Sequence, residues 1–158
     1  SSLKDKNILI LGSGGTAKAI GYGIKEKGGK LTVTYNRNKE RGESLAKELG
    51  CKVVHFRDAG TQAIDILINC TPVGMNPNIN ETPFLARDFK EGMVVFDSVY
   101  NPLETKLLRE AKAAGSAVIP GRELFINQAA RQFELFTGQP APINAMREVL
   151  MGKLKGIS

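Results

Sequence analysis

Near the start of the chain, Gly12-Ser13-Gly14-Gly15-Thr16-Ala17 follows the apolar run Asn7-Ile-Leu-Ile-Leu11 without a break. The six residues fit G-x-G-x-x-[G/A] at a strand-to-helix turn, the context that spacing requires. A glycine in first place permits the tight turn. The second lets backbone approach a pyrophosphate, and Ala17 is small enough for close helix–strand packing. The phosphates would rest on the free N–H groups of the helix N-terminus. A second cluster, Tyr35-Asn36-Arg37-Asn38-Lys39-Glu40-Arg41, closes the next β-branched run. An NAD site places an acidic residue at that strand end to accept from the ribose 2′-OH, and none stands there. Instead two arginines bracket the turn, and their planar forks suit an extra phosphate. Arg37 and Arg41 therefore point to NADP, while Lys39 reads as a solvated helix start.

Other reactive side chains point nowhere in particular. His55 is the only histidine; it lies in a predicted strand with no Ser or Cys partner in a recognisable motif, and reads as structural. Cys51 and Cys70 make no metal or redox motif and suit a reducing compartment. Cys70 reads as a small buried hydrophobe. The net charge of +6 comes from lysines and arginines spread among glutamates, with few aromatics for base stacking, so no nucleic-acid partner is expected. Apolar runs such as Ile64–Leu67 and Met93–Phe96 are too short to span a bilayer. No charged segment precedes an apolar one at the start, so no signal peptide, no membrane partner and a cytoplasmic location are expected.

The elements that must position these residues alternate along the chain. Asn7–Leu11, Leu31–Tyr35, Val53–Phe56, Asp65–Asn69, Met93–Phe96 and Ala117–Ile119 read as strands. Helical periodicity covers Thr16–Lys27, Lys39–Leu49, Leu103–Ala114, Glu123–Phe136 and Ile143–Leu154, with glycines ending the first three. Strands apolar on both faces, separated by helices, require a parallel sheet covered on both sides. The expected fold is α/β: a doubly wound, Rossmann-like parallel sheet of about six strands, helices on both faces, and a ligand crevice at the strands' carboxyl ends. Asn76–Thr82, rich in Asn and Pro, reads as a surface loop within one domain covering residues 1–158.

From the glycine turn onward the chain resembles the shikimate dehydrogenase family over nearly its whole length. The resemblance rests on four separated motifs. They are the glycine turn, Asn36-Arg37-Asn38-Lys39-Glu40-Arg41, Asn69-Cys70-Thr71-Pro72-Val73-Gly74-Met75, and a spread set. That set runs from Asp97-Ser98-Val99-Tyr100-Asn101-Pro102 through Thr105, Leu107 and Leu108 to Gly121-Arg-Glu-Leu124-Phe-Ile-Asn-Gln128. The resemblance implies that Gly12, Ser13, Gly14, Gly15, Thr16 and Ala17 cradle the cofactor and that Asn36, Arg37, Asn38 and Arg41 hold its adenosine phosphate. Thr71, Pro72, Val73 and Ser98 would line it nearer the nicotinamide. Gly121 would let backbone approach the nicotinamide, with Leu124 beside it. Tyr100 and Gln128 would contact the substrate, shikimate or 3-dehydroshikimate. Asn38 stands where the family has Thr, Pro72 where it has Ser, and Leu124 where it often has Met. Pro72 removes a backbone donor and a hydroxyl from its turn. Gly-x-Glu-x-Phe and Phe136-Thr-Gly-Gln-Pro-Ala-Pro142 are similar to bifunctional members fused to a dehydroquinate dehydratase.

In the family, a lysine–aspartate pair that moves the substrate proton lies in an N-terminal substrate domain. This chain begins at Ser1 and has six residues before its first strand. The expectation is an NADP-binding C-terminal part, without catalytic residues of its own and inactive alone, whose partner is that N-terminal domain. Residues from about 123 to 158 would pack toward it, leaving part of Phe125, Phe133, Phe136 and Met146 exposed for pairing as a homodimer. The rival readings are a quinate/shikimate dehydrogenase that uses NAD and a non-catalytic NADPH-sensing module. No metal is expected.

Overall fold

A computed structural model describes residues 2–155. Ser1 and residues 156–158, the end of the stretch expected to pack toward a partner domain, lie outside the described residues. The strands are β1 (Asn7–Leu11), β2 (Lys30–Tyr35), β3 (Lys52–His55), β4 (Ile66–Asn69), β5 (Val94–Asp97) and β6 (Ala117–Ile119). Five helices alternate with or follow them: α1 (Gly15–Glu26), α2 (Lys39–Leu49), α3 (Lys106–Ala113), α4 (Gly121–Thr137) and α5 (Ile143–Lys155). Each strand pair is parallel, in the order β3-β2-β1-β4-β5-β6. The chain winds one way through β1, β2 and β3, then resumes on the other side of β1 with β4. That reversal between β1 and β4 is the switch point where a doubly wound sheet opens a crevice at its carboxyl edge.

Period-2 alternation splits the apolar side chains of β1 between two cores. Leu9 and Leu11 join Leu67, Val95, Phe84, Leu107 and Leu108 on one face. Ile8 and Ile10 join Ala17, Ile24, Leu31, Val33 and Leu45 on the other. With both faces dry and β2 and β4 paired along its two edges, β1 gives the glycine turn a rigid base.

Two boundaries differ from the sequence pattern. Helix α3 starts at Lys106 rather than Leu103, because Thr105 caps it: its hydroxyl accepts from the Leu108 N–H at 3.4 Å. Strand β3 stops at His55, whose Nδ1 accepts from the Arg57 N–H at 3.2 Å and so opens a 3-10 turn over Phe56–Thr61. The turn has no strong sequence signal, since its start depends on a histidine acting as a cap. No described helix is long and apolar enough to cross a membrane.

Candidate functional site

The glycine turn leaves β1 at Gly12 with φ +107°, a conformation L side chains rarely adopt. Its N–H donates to the buried Thr34 Oγ1 at 2.9 Å, which ties the turn to β2. A Cβ there would meet Thr71 Cγ2 at 3.1 Å, so the turn also presses on the segment after β4. Gly14 caps α1 without a side-chain hydrogen bond, and no acidic residue stands in the first turn. The first N–H groups of α1 are therefore left for an anion.

Arg41 reaches back from α2, and its Nε donates to the Ser13 carbonyl at 3.0 Å. The same residue's N–H donates to Asn38 Oδ1 at 2.8 Å, so Asn38 serves as the N-cap of α2. Asn stands there for a definite reason: it is among the best capping residues, and its single oxygen is spent on the helix. Arg41 and Arg37 line a cleft of about 590 Å³ together with Gly12, Ser13, Asn36 and Asn38. The facing wall is Thr71, Pro72 and Val73 from the loop after β4, with Phe56, Thr82 and Pro83 beyond them. Thr34, Phe56, Thr82 and Pro83 were not singled out in the sequence. Nothing local marks them, since they reach the cleft only through the order of the sheet.

A smaller hollow of about 170 Å³ collects the second group of sequence candidates. Thr16, Ser98, Tyr100, Gly121, Leu124 and Gln128 line it, with Phe125 added. The Tyr100 and Phe125 rings lie 5.0 Å apart and tilted by 35°. Gly121 is required here by protein packing: an added Cβ would collide with the Val99 carbonyl oxygen and lie 2.7 Å from those of Asp97 and Ser98. Thr71, Pro72 and Val73 face the arginines and are absent from this hollow.

A buried polar network joins the two halves of the crevice. Asn69, at the end of β4, donates from Nδ2 to Asp97 Oδ1 at 2.9 Å. Its Oδ1 accepts from the Thr71 N–H at 2.9 Å and the Thr71 hydroxyl at 2.7 Å. Asp97, at the end of β5, also accepts from the Val99 N–H at 3.0 Å and the Thr105 hydroxyl at 2.6 Å. Burial pushes the Asp97 carboxyl up, against the downward pull of the bonds from Thr105, Val99 and Asn69. The network sets the angle at which the loops after β4 and β5 leave the sheet. It also engages the Thr71 hydroxyl, which donates to Asn69 and accepts from the Val73 N–H at 3.3 Å.

The tempting side chains are otherwise employed. His55 meets Tyr35 edge-on, ring centroids 5.2 Å apart, while capping the 3-10 turn. The Cys70 thiol is pushed up to about 12, chiefly by burial and further by the Asp97 charge, so it stays protonated and unreactive. The one lysine–aspartate ion pair among the described residues, Lys30 with Asp5 at 3.6 Å, lies at the amino edge of the sheet, opposite the crevice.

Fold and cleft together define a doubly wound α/β protein of the dinucleotide-binding class. The Shikimate / quinate 5-dehydrogenase family matches residues 1–97, and the Shikimate 5′-dehydrogenase C-terminal domain matches residues 121–151. The chain belongs to the shikimate/quinate dehydrogenase family. It is 43% identical over 155 residues to shikimate dehydrogenase (NADP(+)) of Methanococcoides burtonii, a match covering 96% of this chain and 57% of that protein. It is also 43% identical over 145 residues to the chloroplastic bifunctional 3-dehydroquinate dehydratase/shikimate dehydrogenase of Arabidopsis thaliana, covering 90% of this chain and 24% of the relative. A crystal structure of a shikimate dehydrogenase in complex with NADP+ superimposes with a TM-score of 0.86 at 36% identity, over 96% of this chain and 55% of that one. The chain thus spans from about a quarter to somewhat over half of the length of such relatives.

Proposed function

We propose that this chain is the NADP-binding part of a shikimate dehydrogenase, an oxidoreductase that moves hydride between NADP(H) and shikimate or 3-dehydroshikimate in aromatic amino acid biosynthesis. The observation that carries the reading is the pair Arg37 and Arg41 on one cleft with the glycine turn, with no carboxylate at the end of β2 to receive a ribose hydroxyl. NADP fits the residues present. The glycine turn and the uncapped start of α1 would take its pyrophosphate, and the two guanidinium groups its adenosine phosphate. Asn36 and Asn38 would frame that end, and Thr71, Pro72 and Val73 would form the wall facing it. Bound there, the cofactor supplies the hydride chemistry; the protein contributes binding, orientation and exclusion of water.

Ser98, Gly121 and Leu124 would border the reacting end, and Tyr100 and Gln128 would offer hydrogen bonds to substrate hydroxyls from the same hollow. Phe125 supports the Tyr100 ring at stacking distance and limits its rotation. No lysine–carboxylate pair faces that hollow among the described residues. On this reading the proton donor and acceptor come from a substrate domain in the portion of the relatives that this chain does not span, and residues 1–158 act as one domain beside it. The free thiols Cys51 and Cys70 suit a reducing compartment such as the cytoplasm.

Calorimetric titration of the chain with NADP+ and with NAD+ tests the reading. The expected result is a preference for NADP+ of about tenfold or more, roughly 1.4 kcal/mol. Arg37→Ala should remove most of that preference and leave NAD+ binding unchanged. Equal affinities in the unaltered chain would overturn the phosphate role of the arginines and favour a quinate-type relative that uses NAD. Added shikimate and NADP+ should give no turnover with this chain alone; measurable oxidation would place the acid–base groups within it.

A further inference from the structure

A second cavity, of about 330 Å³, lies behind the adenosine end of the cleft and is used by none of the motif residues. Phe56, Thr82 and Pro83 line both spaces and so form the partition between them. The cavity's floor belongs to the core: Ala59 and Phe84 are each 3% exposed, and Phe84 meets Phe89 edge-on at 5.0 Å. One side is the 3-10 turn over Phe56–Thr61, held by the His55 cap, and the other is the segment from Thr82 to Asp88. The Thr82 hydroxyl donates to the Phe84 carbonyl at 3.1 Å, fixing that segment's start. Both walls are thus anchored, and the space has the size and mainly apolar surface of a preformed small-molecule pocket.

Two charged residues stand at it. Asp88 is folded against Gly60 and has Arg87 at 3.9 Å, so its charge is partly balanced within the protein. Arg57 lines the cavity and has no ion-pair partner among the described residues. Leu85, 52% exposed, is the apolar lip of the mouth. Aromatic and proline walls accept a flat ring, and a free guanidinium at the mouth accepts a carboxylate by paired hydrogen bonds.

We infer that this cavity is a second ligand site, separate from the dinucleotide cleft, for a small aromatic carboxylate whose ring enters between Phe56, Pro83 and Phe84 and whose carboxylate meets Arg57. The site does not depend on the cofactor assignment. It can be tested with benzoate as the probe, followed by backbone amide shifts of the full chain, with 2′,5′-ADP occupying the cleft. Saturable shifts centred on Phe56–Thr61 and on Thr82–Asp88, retained with 2′,5′-ADP at saturation, are expected. Arg57→Ala should weaken benzoate at least about tenfold. Leu85→Trp, at an exposed position that leaves the fold intact, should close the mouth and abolish the shifts, with 2′,5′-ADP binding unchanged. Acetate should give no saturable shift at these positions.

Displacement of benzoate by 2′,5′-ADP would overturn the inference, because the cavity would then be an extension of the adenosine cleft. Equal shifts with acetate, or none with benzoate up to about 10 mM, a weak limit for a ligand of this size, would overturn it too. If benzoate binds and 2′,5′-ADP does not, the second site stands and the dinucleotide reading falls.

Discussion

Asp97 shows how much of the site depends on a residue that touches no ligand. Its two carboxylate oxygens receive Asn69, Val99 and Thr105, all in a dry environment. Asp97→Ala would leave the Val99 N–H and the Thr105 hydroxyl without an acceptor and the Asn69 amide with only the Val73 carbonyl at 3.5 Å, and a loss of about 3 kcal/mol in urea unfolding is expected. Its titration has a definite sign. The folded value is raised above the ordinary 3.8, so the contribution is fully present below that value and is lost as pH rises through the raised folded value. Stability of the chain should therefore fall across that window, and Asp97→Asn should flatten the fall; an unchanged slope in the Asn variant would assign it to other groups. In the sequence Asn69 closes a predicted strand and opens the third motif, while Asp97 and Thr105 belong to the spread fourth motif, Thr105 inside a helix predicted from Leu103. Their joint role is a matter of β4 and β5 being neighbours in register, Asn69 beside Asp97.

At the scale of elements, α4 is the part most exposed to a single change. Its first residue presses on three carbonyl oxygens at the exit of β5. Gly121→Ala should cost about 2 kcal/mol by forcing the helix off the sheet, and should open the hollow that holds Tyr100 and Gln128. Circular dichroism melts would register the cost. Farther along, Arg147 of α5 grips Glu123 of α4 through two bonds of 2.6 and 3.0 Å. That contact holds the Glu123 carboxyl below its ordinary 4.5, with the hydrogen bonds from Arg147 as the main cause. A depressed acid stabilises above its unfolded value, and the contribution disappears as pH falls through the folded one. Amides of α5 should thus begin to exchange faster than those of the sheet on acidification below about pH 4.5. Glu123→Gln should show that faster exchange already at neutral pH.

For the molecule as a whole, the last two helices carry apolar surface that the sheet does not use. Phe136 is 88% exposed, Leu135 68% and Val149 65%, and Phe125 and Ile143 are about two-fifths exposed. Phe133 and Met146, also expected at this surface, are half-buried. Exposed apolar side chains grouped on one pair of helices favour self-association. Sedimentation should show a concentration-dependent dimer that Leu135→Ser with Phe136→Ser reduces to monomer. A monomer across the whole range for the unaltered chain would count against a homodimer, and would reserve that face for a substrate domain.

Local chemistry was enough to read the order of the elements, the glycine turn and the arginine pair from the sequence. Each is written in contiguous residues: apolar runs of strand length, glycines where φ must be positive, and charged forks at a strand end. The fourth motif could be recognised only by resemblance, because Ser98 and Tyr100 stand in the loop after β5, Gly121 and Gln128 in α4, and the two pairs meet by folding. Tertiary structure alone decided which strands adjoin, and through that the Asn69–Asp97 network, the Phe56 and Pro83 partition, and the cavity behind it. Those features depend on parallel strands far apart in sequence lying side by side, and that register is set by burial on both faces of the sheet rather than by any local residue pattern.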